Sequence, residues 1–340
     1  MIDKRSFILL HSVAFVLHAT SSVFAWLCNP YPVHARLSFK VDALTYQKAT
    51  NVSTVGASRD EIIYASKVSP IGLVATNETI TALSHLIAIY VLVRVVKNND
   101  YEGKDGYSIN YEYMRRWAEY AVTAGLLEVA IIAGQGTREW FLIVYMIVGN
   151  VVIQGMGYLM DAAPEFEYKP WFSVFGFLLL SVQIWLIATN AANTTNASEN
   201  QEVWVRLAVL YGLLYSWFGV NQTCVHYSEW YRKTFNGDMI FVFLSISAKL
   251  YLSWSLIAEI RQRFYELGEP LTPKIWFETS LDATVDTWMT IKDFMMWVSL
   301  ALVVLGYVIT AWLKGTLRSE TCFKKCVNNQ PARGRYKRFH

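Results

Sequence analysis

The sequence predicts an all-α membrane protein that crosses the bilayer many times. Three observations lead there. Of 340 residues, 54% are hydrophobic and 17% charged, with mean hydropathy +0.26, a balance that a soluble domain does not carry. Apolar runs of helix length recur along the chain. The segments between them alternate between basic and sequon-bearing. The net charge of +3 is modest and its basic residues gather at the C-terminus, so charge speaks to topology rather than to nucleic acid. Cys28, Cys224, Cys322 and Cys326 make no disulfide framework. No metal-ligand spacing, phosphate loop or nucleophile motif is present, which leaves hydrolytic and redox catalysis without support.

The spans run near Ser6–Cys28, Pro70–Val96, Tyr113–Ala133, Trp140–Asp161, Trp171–Ala191, Val203–His226, Asp238–Ala258 and Phe294–Leu313. The first is long enough to span and stay, with no cleavable signal peptide. Between the first two lies a long loop, residues 29–69. Its alternating stretch Arg36–Val41 and turn-like Thr54–Arg59 suggest a β-hairpin, with a flexible loop as the alternative. The third and sixth spans are the least apolar. Lys97, Lys104, Arg115, Arg116, Lys169, Arg232 and Lys233 lie in or beside the segments after the second, fourth and sixth spans. The positive-inside rule puts these segments and both termini in the cytoplasm. The opposite loops carry sequons at Asn51, Asn193 and Asn196, possible glycosylation sites on the outer face; those at Asn77 and Asn221 fall inside spans and read as chance. Residues 261–313 form an outer linker and an eighth span. Asp293 would cap that last helix, which holds no charge and reads as an appendage without chemistry. The tail, residues 314–340, is strongly basic and reads as disordered. It would bind anionic lipid at about 1 kcal/mol per basic residue, and Cys322 and Cys326 lie where palmitoylation is permitted, inert thiols being the alternative.

One residue breaks the apolar pattern. Met239–Ala258 is twenty residues long with a single charge, Lys249, at its centre. Such a helix rises about 30 Å, the thickness of the hydrocarbon core, and a lysine at mid-depth costs at least ~2.5 kcal/mol. Either the amine snorkels or lines a wet cavity, or it is a desolvated nucleophile able to condense with an aldehyde as a Schiff base. A partner is needed, and the third span offers two carboxylates, Glu119 and Glu128. Lys249 sits about 16 Å deep. Glu119 matches that depth only if its helix begins well before Arg116, near Asn110.

These residues also carry a resemblance. R-W-A-E-Y at Arg116–Tyr120 and L-S-I-S-A-K-L-Y-L-S-W at Leu244–Trp254 resemble the third and seventh helices of the heliorhodopsins. V-L-H at Val16–His18, A-L-S-H-L at Ala82–Leu86, N-V-V-I-Q-G-M-G-Y-L-M-D at Asn150–Asp161 and N-G-D at Asn236–Asp238 extend the likeness in the right order. The resemblance covers residues 6–260. It implies a seven-transmembrane-helix rhodopsin-like bundle over residues 1–260, with the eighth helix as an addition. It implies all-trans retinal on Lys249, Glu119 as counterion, and a pocket that includes Ser245, Trp254, Asn150 and Tyr120. His18 and His85 would form a proton-accepting cluster, although each alone reads as a satisfied buried histidine. A homodimer is implied, through the outer loop and the fourth and fifth helices. Two positions depart from the family pattern: Gln183 follows Val182 where a proline is usual, and Ser21 or a neighbour stands where a glutamine is usual. The Gln183 amide would place a dipole near the chromophore.

Two functions from different classes are compatible with these residues. One is a slow sensory photoreceptor that signals by shape change to a cytoplasmic or membrane partner. The other is a light-activated proton channel or transporter. Asn77, Glu78, Thr81 and His85 share one helix face, and Glu78, Glu128 and Glu202 could relay protons outward from the histidines; the alternative is that Glu78 and Glu128 are hydrogen-bonded structural acids. Arg116, Asp161 and Asp238 would form an ion network at the cytoplasmic end. A retinal-free transporter built on a Lys–Glu pair is a third reading.

Overall fold

Residues 4–29, 35–41, 61–94, 106–135, 140–162, 169–194, 201–266 and 285–328 are described in a computed structural model. The elements in order are α1 (Lys4–Cys28), β1 (Ala35–Val41), β2 (Glu61–Val68), α2 (Pro70–Arg94), α3 (Gly106–Gly134), α4 (Trp140–Ala162), α5 (Lys169–Thr194), α6 (Gln201–Tyr227), the short α7 (Glu229–Thr234), α8 (Gly237–Glu266) and α9 (Val285–Asn328). Among the described residues, seven helices are long and apolar enough to cross a membrane: α1 to α5, α8 and α9. The protein is therefore an integral, multi-pass membrane protein. The helix α6 is not among the seven. Its Asn221 and Gln222 face the interior, buried, where α7, α8 and α4 supply hydrogen-bond partners, so its polarity is paired rather than exposed to lipid.

Seven helices close into a ring in chain order, α1–α2–α3–α4–α5–α6–α8, and α8 packs back on α1. Local chemistry sets the joints. Ser69 precedes α2 and its Oγ accepts the Gly72 N–H at 3.1 Å, with Pro70 in the first helical position. The same hydroxyl donates to Asn29 Oδ1 at 2.6 Å, fixing the end of α1 against the start of α2. Ser228 caps α7 by accepting the Tyr231 N–H at 3.2 Å. Asn236 caps α8 by accepting the Met239 N–H at 3.0 Å. Next to it, Gly237 lets α8 approach α6 closely: a Cβ there would lie 2.1 Å from Val225 Cγ2.

The first loop carries strands as the alternation predicts. The strands β1 and β2 pair antiparallel from Ala35↔Val68 to Val41↔Glu61, with a register irregularity between Ser38 and Lys40. The turn at Thr54–Arg59 lies outside the described residues, as do Asn51, Asn196 and residues 329–340. Asn193 falls in the last turn of α5. Asn77 and Asn221 are buried, as expected for sequons inside spans.

Two expectations need correction at the C-terminal end. The last helix begins at Val285, so Asp293 lies within it and caps nothing. It continues to Asn328, so the segment after Lys314 is helical where a disordered tail was expected. The helix packs outside the ring against α8, tied to it by polar contacts.

Candidate functional site

The buried helix α8 positions the site. Its most apolar window, within Gly237–Gln262, is 94% buried, against 17% for the corresponding windows of α5 and α9. A helix apolar all round belongs in the middle of a bundle, and the capped start at Asn236 sets the rotation that points Lys249 inward. Lys249 is 3% exposed. Its Nζ hydrogen-bonds Glu119 Oε1 in a direct ion pair and donates to Thr81 Oγ1 at 2.9 Å. The Tyr120 ring lies 4.9 Å from the ammonium, within cation–π range. The depth tension in the sequence resolves simply: α3 begins at Gly106, two turns ahead of the apolar run, which brings Glu119 level with Lys249.

Glu119 is held from several directions. Thr81 Oγ1 and Ser84 Oγ each lie 3.3 Å from one of its oxygens. Arg115, one turn back on α3, stands 4.0 Å away and also bonds the Ser84 hydroxyl. A carboxylate bracketed by two cations and two hydroxyls is well compensated in a low-dielectric interior.

Beside this pair opens a cavity lined by residues of α3, α4, α5, α6 and α8. Its walls are mostly apolar, with Trp117, Ile153, Met156, Phe177, Leu180 and Phe218 prominent, and Lys249 is the one lysine in them. Tyr120 and Asn150 line it. Asn150 bonds the Ala121 carbonyl at 2.8 Å and accepts from Gln154 at 3.1 Å, joining α4 to α3. Gln183 also reaches the wall, its amide donating to the Met146 carbonyl at 3.0 Å. The departure at this position thus replaces a helix-kinking proline by an α5–α4 tie. Trp254 and Ser245 are not among the residues that line the cavity. The Trp254 indole turns to α1, donating to Ser21 Oγ at 3.1 Å beside Phe24, because its position on α8 faces the α1 side. Ser245 is buried one turn before Lys249.

A second polar cluster fills the space between α1, α2 and α8. The rings of His18 and His85 stack at 5.7 Å. His18 Nδ1 bonds Glu78 Oε2 at 2.7 Å, and the Ser253 hydroxyl donates to the other Glu78 oxygen. His85 Nδ1 lies 2.9 Å from His11 Nδ1. The sequence marks Thr81 only as part of the polar stripe on α2, and gives no functional reading of His11, Ser253, Ser84 or Arg115 at this site. His11 carried a usable signal: it precedes His18 by seven residues and so shares its helix face. The polar stripe on α2 is buried throughout, with Glu78 and Thr81 one turn apart and bonded to the histidine and lysine clusters respectively.

Of the carboxylates read as a relay, Glu78 and Glu128 are not brought together. Glu78 joins His18. Glu128 sits across α3, buried, and receives the Tyr211 hydroxyl instead, since nine residues of helix turn it to the opposite side from Glu119. Glu202 lies in the first turn of α6, and its side chain is outside the described residues. At the far end of α8 the expected ion network is present. Arg116 donates to Asp161 at 2.7 Å and to Asp238 at 2.8 Å, joining α3, α4 and α8. Trp117, Gln222 and His226 also bond Asp161. Among the described residues no group of three or more His, Cys, Asp or Glu is arranged to hold a metal ion.

A ring of seven helices closed around one buried lysine is the architecture of the rhodopsin class. A family model of heliorhodopsins matches residues 9–260. The chain belongs to the heliorhodopsin family, and so to the retinal-binding membrane photoreceptors. Comparison with curated proteins found no match. The family match stops short of α9.

Proposed function

We propose that this protein is a photoreceptor whose retinal is carried by Lys249 and whose slow, light-driven change of shape is its output. The observation that carries the reading is the Lys249 amine, bonded to Glu119 and Thr81 at the edge of an apolar cavity. The cavity suits a long polyene aldehyde: its walls are apolar and its one amine can form an imine. Bound there as a Schiff base in its all-trans form, retinal would supply light absorption and photoisomerisation. The protein's own residues do the rest. Glu119 neutralises the cation on Lys249 and holds its proton through a charge-assisted hydrogen bond. Thr81 and Ser84 orient Glu119, with Arg115 beside it at 4.0 Å. Trp117, Met156, Phe177 and Phe218 exclude water and fix the shape of the cavity. His18, with Glu78 behind it, offers a buried acceptor for a proton leaving Lys249, on the far side of Thr81. The Arg116–Asp161–Asp238 network closes the bundle at the end we assign to the cytoplasm, with both termini on that side by the positive-inside rule. Self-association as a homodimer, and attraction of the basic C-terminal segment to anionic lipid, complete the reading.

The test is spectroscopic. Membranes containing the protein gain a visible absorption band on addition of all-trans retinal, and Lys249→Ala does not. A Lys249→Ala protein that still absorbs visible light with retinal would overturn the assignment. The proton-transport reading needs a path outward beyond Glu78. Voltage clamp of illuminated cells under a proton gradient separates the two: a photocurrent lost in Glu78→Gln supports transport, and no current under any gradient excludes it.

A further inference from the structure

The helix α9 has no counterpart in the family match, which ends at residue 260, yet it covers the back of the helix that carries Lys249. Three contacts tie it along the length of α8. Lys292 donates to Glu259 at 2.9 Å and to Gln262 at 2.8 Å near the C-terminal end of α8. Ser299 donates to the Ser247 carbonyl at 2.9 Å, two residues from Lys249 and on the opposite side of the helix. Gly306 meets Phe243 so closely that a Cβ would lie 2.7 Å from its ring. Close approach through a small residue is the usual device for tight helix pairing in lipid. Just beyond Gly306, Tyr307 bonds Trp217 of α6 at 2.9 Å and Tyr231 of α7 at 3.3 Å. The helix then runs on without a break to Asn328, about 20 Å past Gly315 at 1.5 Å per residue. One unbroken rod is thus in contact with the backbone of α8 level with Lys249, with α6 and α7 at the inner end, and with the space outside the bundle.

We propose that α9 is the output helix of the photoreceptor: it takes up movement of α8 at Ser247 and Phe243 and carries it to the segment beyond Gly315. This rests on the reading of Lys249 as the retinal-bearing residue. A helix that served only to shield α8 from lipid would need apolar contacts alone. Here a hydroxyl is bonded to the α8 backbone, and a half-buried Lys–Glu pair fixes the axial position. Movement of α8 along or across its axis must therefore displace α9 or break these contacts.

The test uses full-length protein loaded with all-trans retinal, with the native cysteines replaced by serine. Spin labels are placed at Gly315→Cys, which faces open space, and at Trp171→Cys, which is exposed at the start of α5. A second pair links Trp171→Cys to Tyr227→Cys at the end of α6. Distances are measured in the dark and after illumination trapped by freezing. The expected result is a light-induced change at 315 that falls at least twofold in Ser299→Ala and in Gly306→Val, with the visible band of both variants in place. Ser299→Ala removes one hydrogen bond and keeps the test usable if Gly306→Val fails to fold. A change at 227 without any at 315 overturns the proposal and leaves the photoreceptor reading standing. So does a change at 315 that both variants retain in full. Absence of a visible band in the parent protein overturns the retinal reading and the proposal with it.

Discussion

Asp161→Asn tests how much of the bundle's stability rests on one buried carboxylate. The Asp161 side chain is 5% exposed and receives Arg116, itself 6% exposed, at 2.7 Å. Trp117 and Gln222 donate to it at 2.7 and 2.6 Å. The amide of asparagine keeps an oxygen for one or two of these donors but removes the charge and brings an N–H₂ group among donors. Removing one partner of a buried ion pair costs about 3–5 kcal/mol, because the remaining charge is left uncompensated. Asp238 still reaches Arg116 at 2.8 Å, so the lower figure, about 3 kcal/mol, applies. At about 2–4 °C per kcal/mol for a large domain, the midpoint should fall by about 6–12 °C. Asp238→Asn is the internal comparison. Its side chain is 32% exposed, where water screens the charge, so its loss should cost about 1 kcal/mol or less, which is under about 4 °C at the same conversion. The assay is thermal unfolding of purified protein in detergent, followed by far-ultraviolet circular dichroism. Equal shifts for the two variants, or a fall under about 2 °C for Asp161→Asn, would refute the claim that burial decides the strength of this network.

Other outcomes follow from the same geometry. Among the described residues Glu119 is the one carboxylate bonded to Lys249, so retinal-loaded Glu119→Gln should absorb less in the visible at neutral pH and regain absorption on acidification; an unchanged titration would mean another group neutralises Lys249. Gly157→Ala should lower stability by about 1–3 kcal/mol, since its Cβ would lie 2.4 Å from Trp117, an indole already pinned by Asp161. Gly155→Ala, with nothing within 4 Å, should be neutral or stabilising by up to about 1 kcal/mol, and melting curves distinguish the two. Tyr211→Phe leaves a buried Glu128 without its bonded hydroxyl and should cost about 1–3 kcal/mol, measured the same way; a neutral result would show that Glu128 finds another partner.

Composition, span length and charge were enough to fix the class of fold, because a bilayer demands about twenty apolar residues of helix for each crossing. The cost of burying an amine singled out Lys249, and the same logic found Glu119, Glu78 and Glu128. Pairing was a different matter. Which carboxylate meets the lysine depends on helix start and rotation: α3 begins at Gly106, outside the apolar run, and only that early start brings Glu119 level with Lys249. The same rotation turns Glu128 to Tyr211 and away from any relay. Trp254 shows the limit in another way, since its neighbour sequence resembles a pocket segment while its indole faces Ser21 on α1. His11 entered the histidine cluster through a partner seventy-four residues away, a contact that only the packing of α1 on α2 creates. The clearest gap concerns α9. Its sequence is apolar and uncharged over the span, which determines that it lies in the membrane. Its place against α8 was decided by Gly306 fitting Phe243, Ser299 reaching a backbone carbonyl and Lys292 meeting Glu259. Burial in lipid is a property of a segment's own residues, whereas the choice of neighbour is a property of two surfaces, and only the folded bundle brings both together.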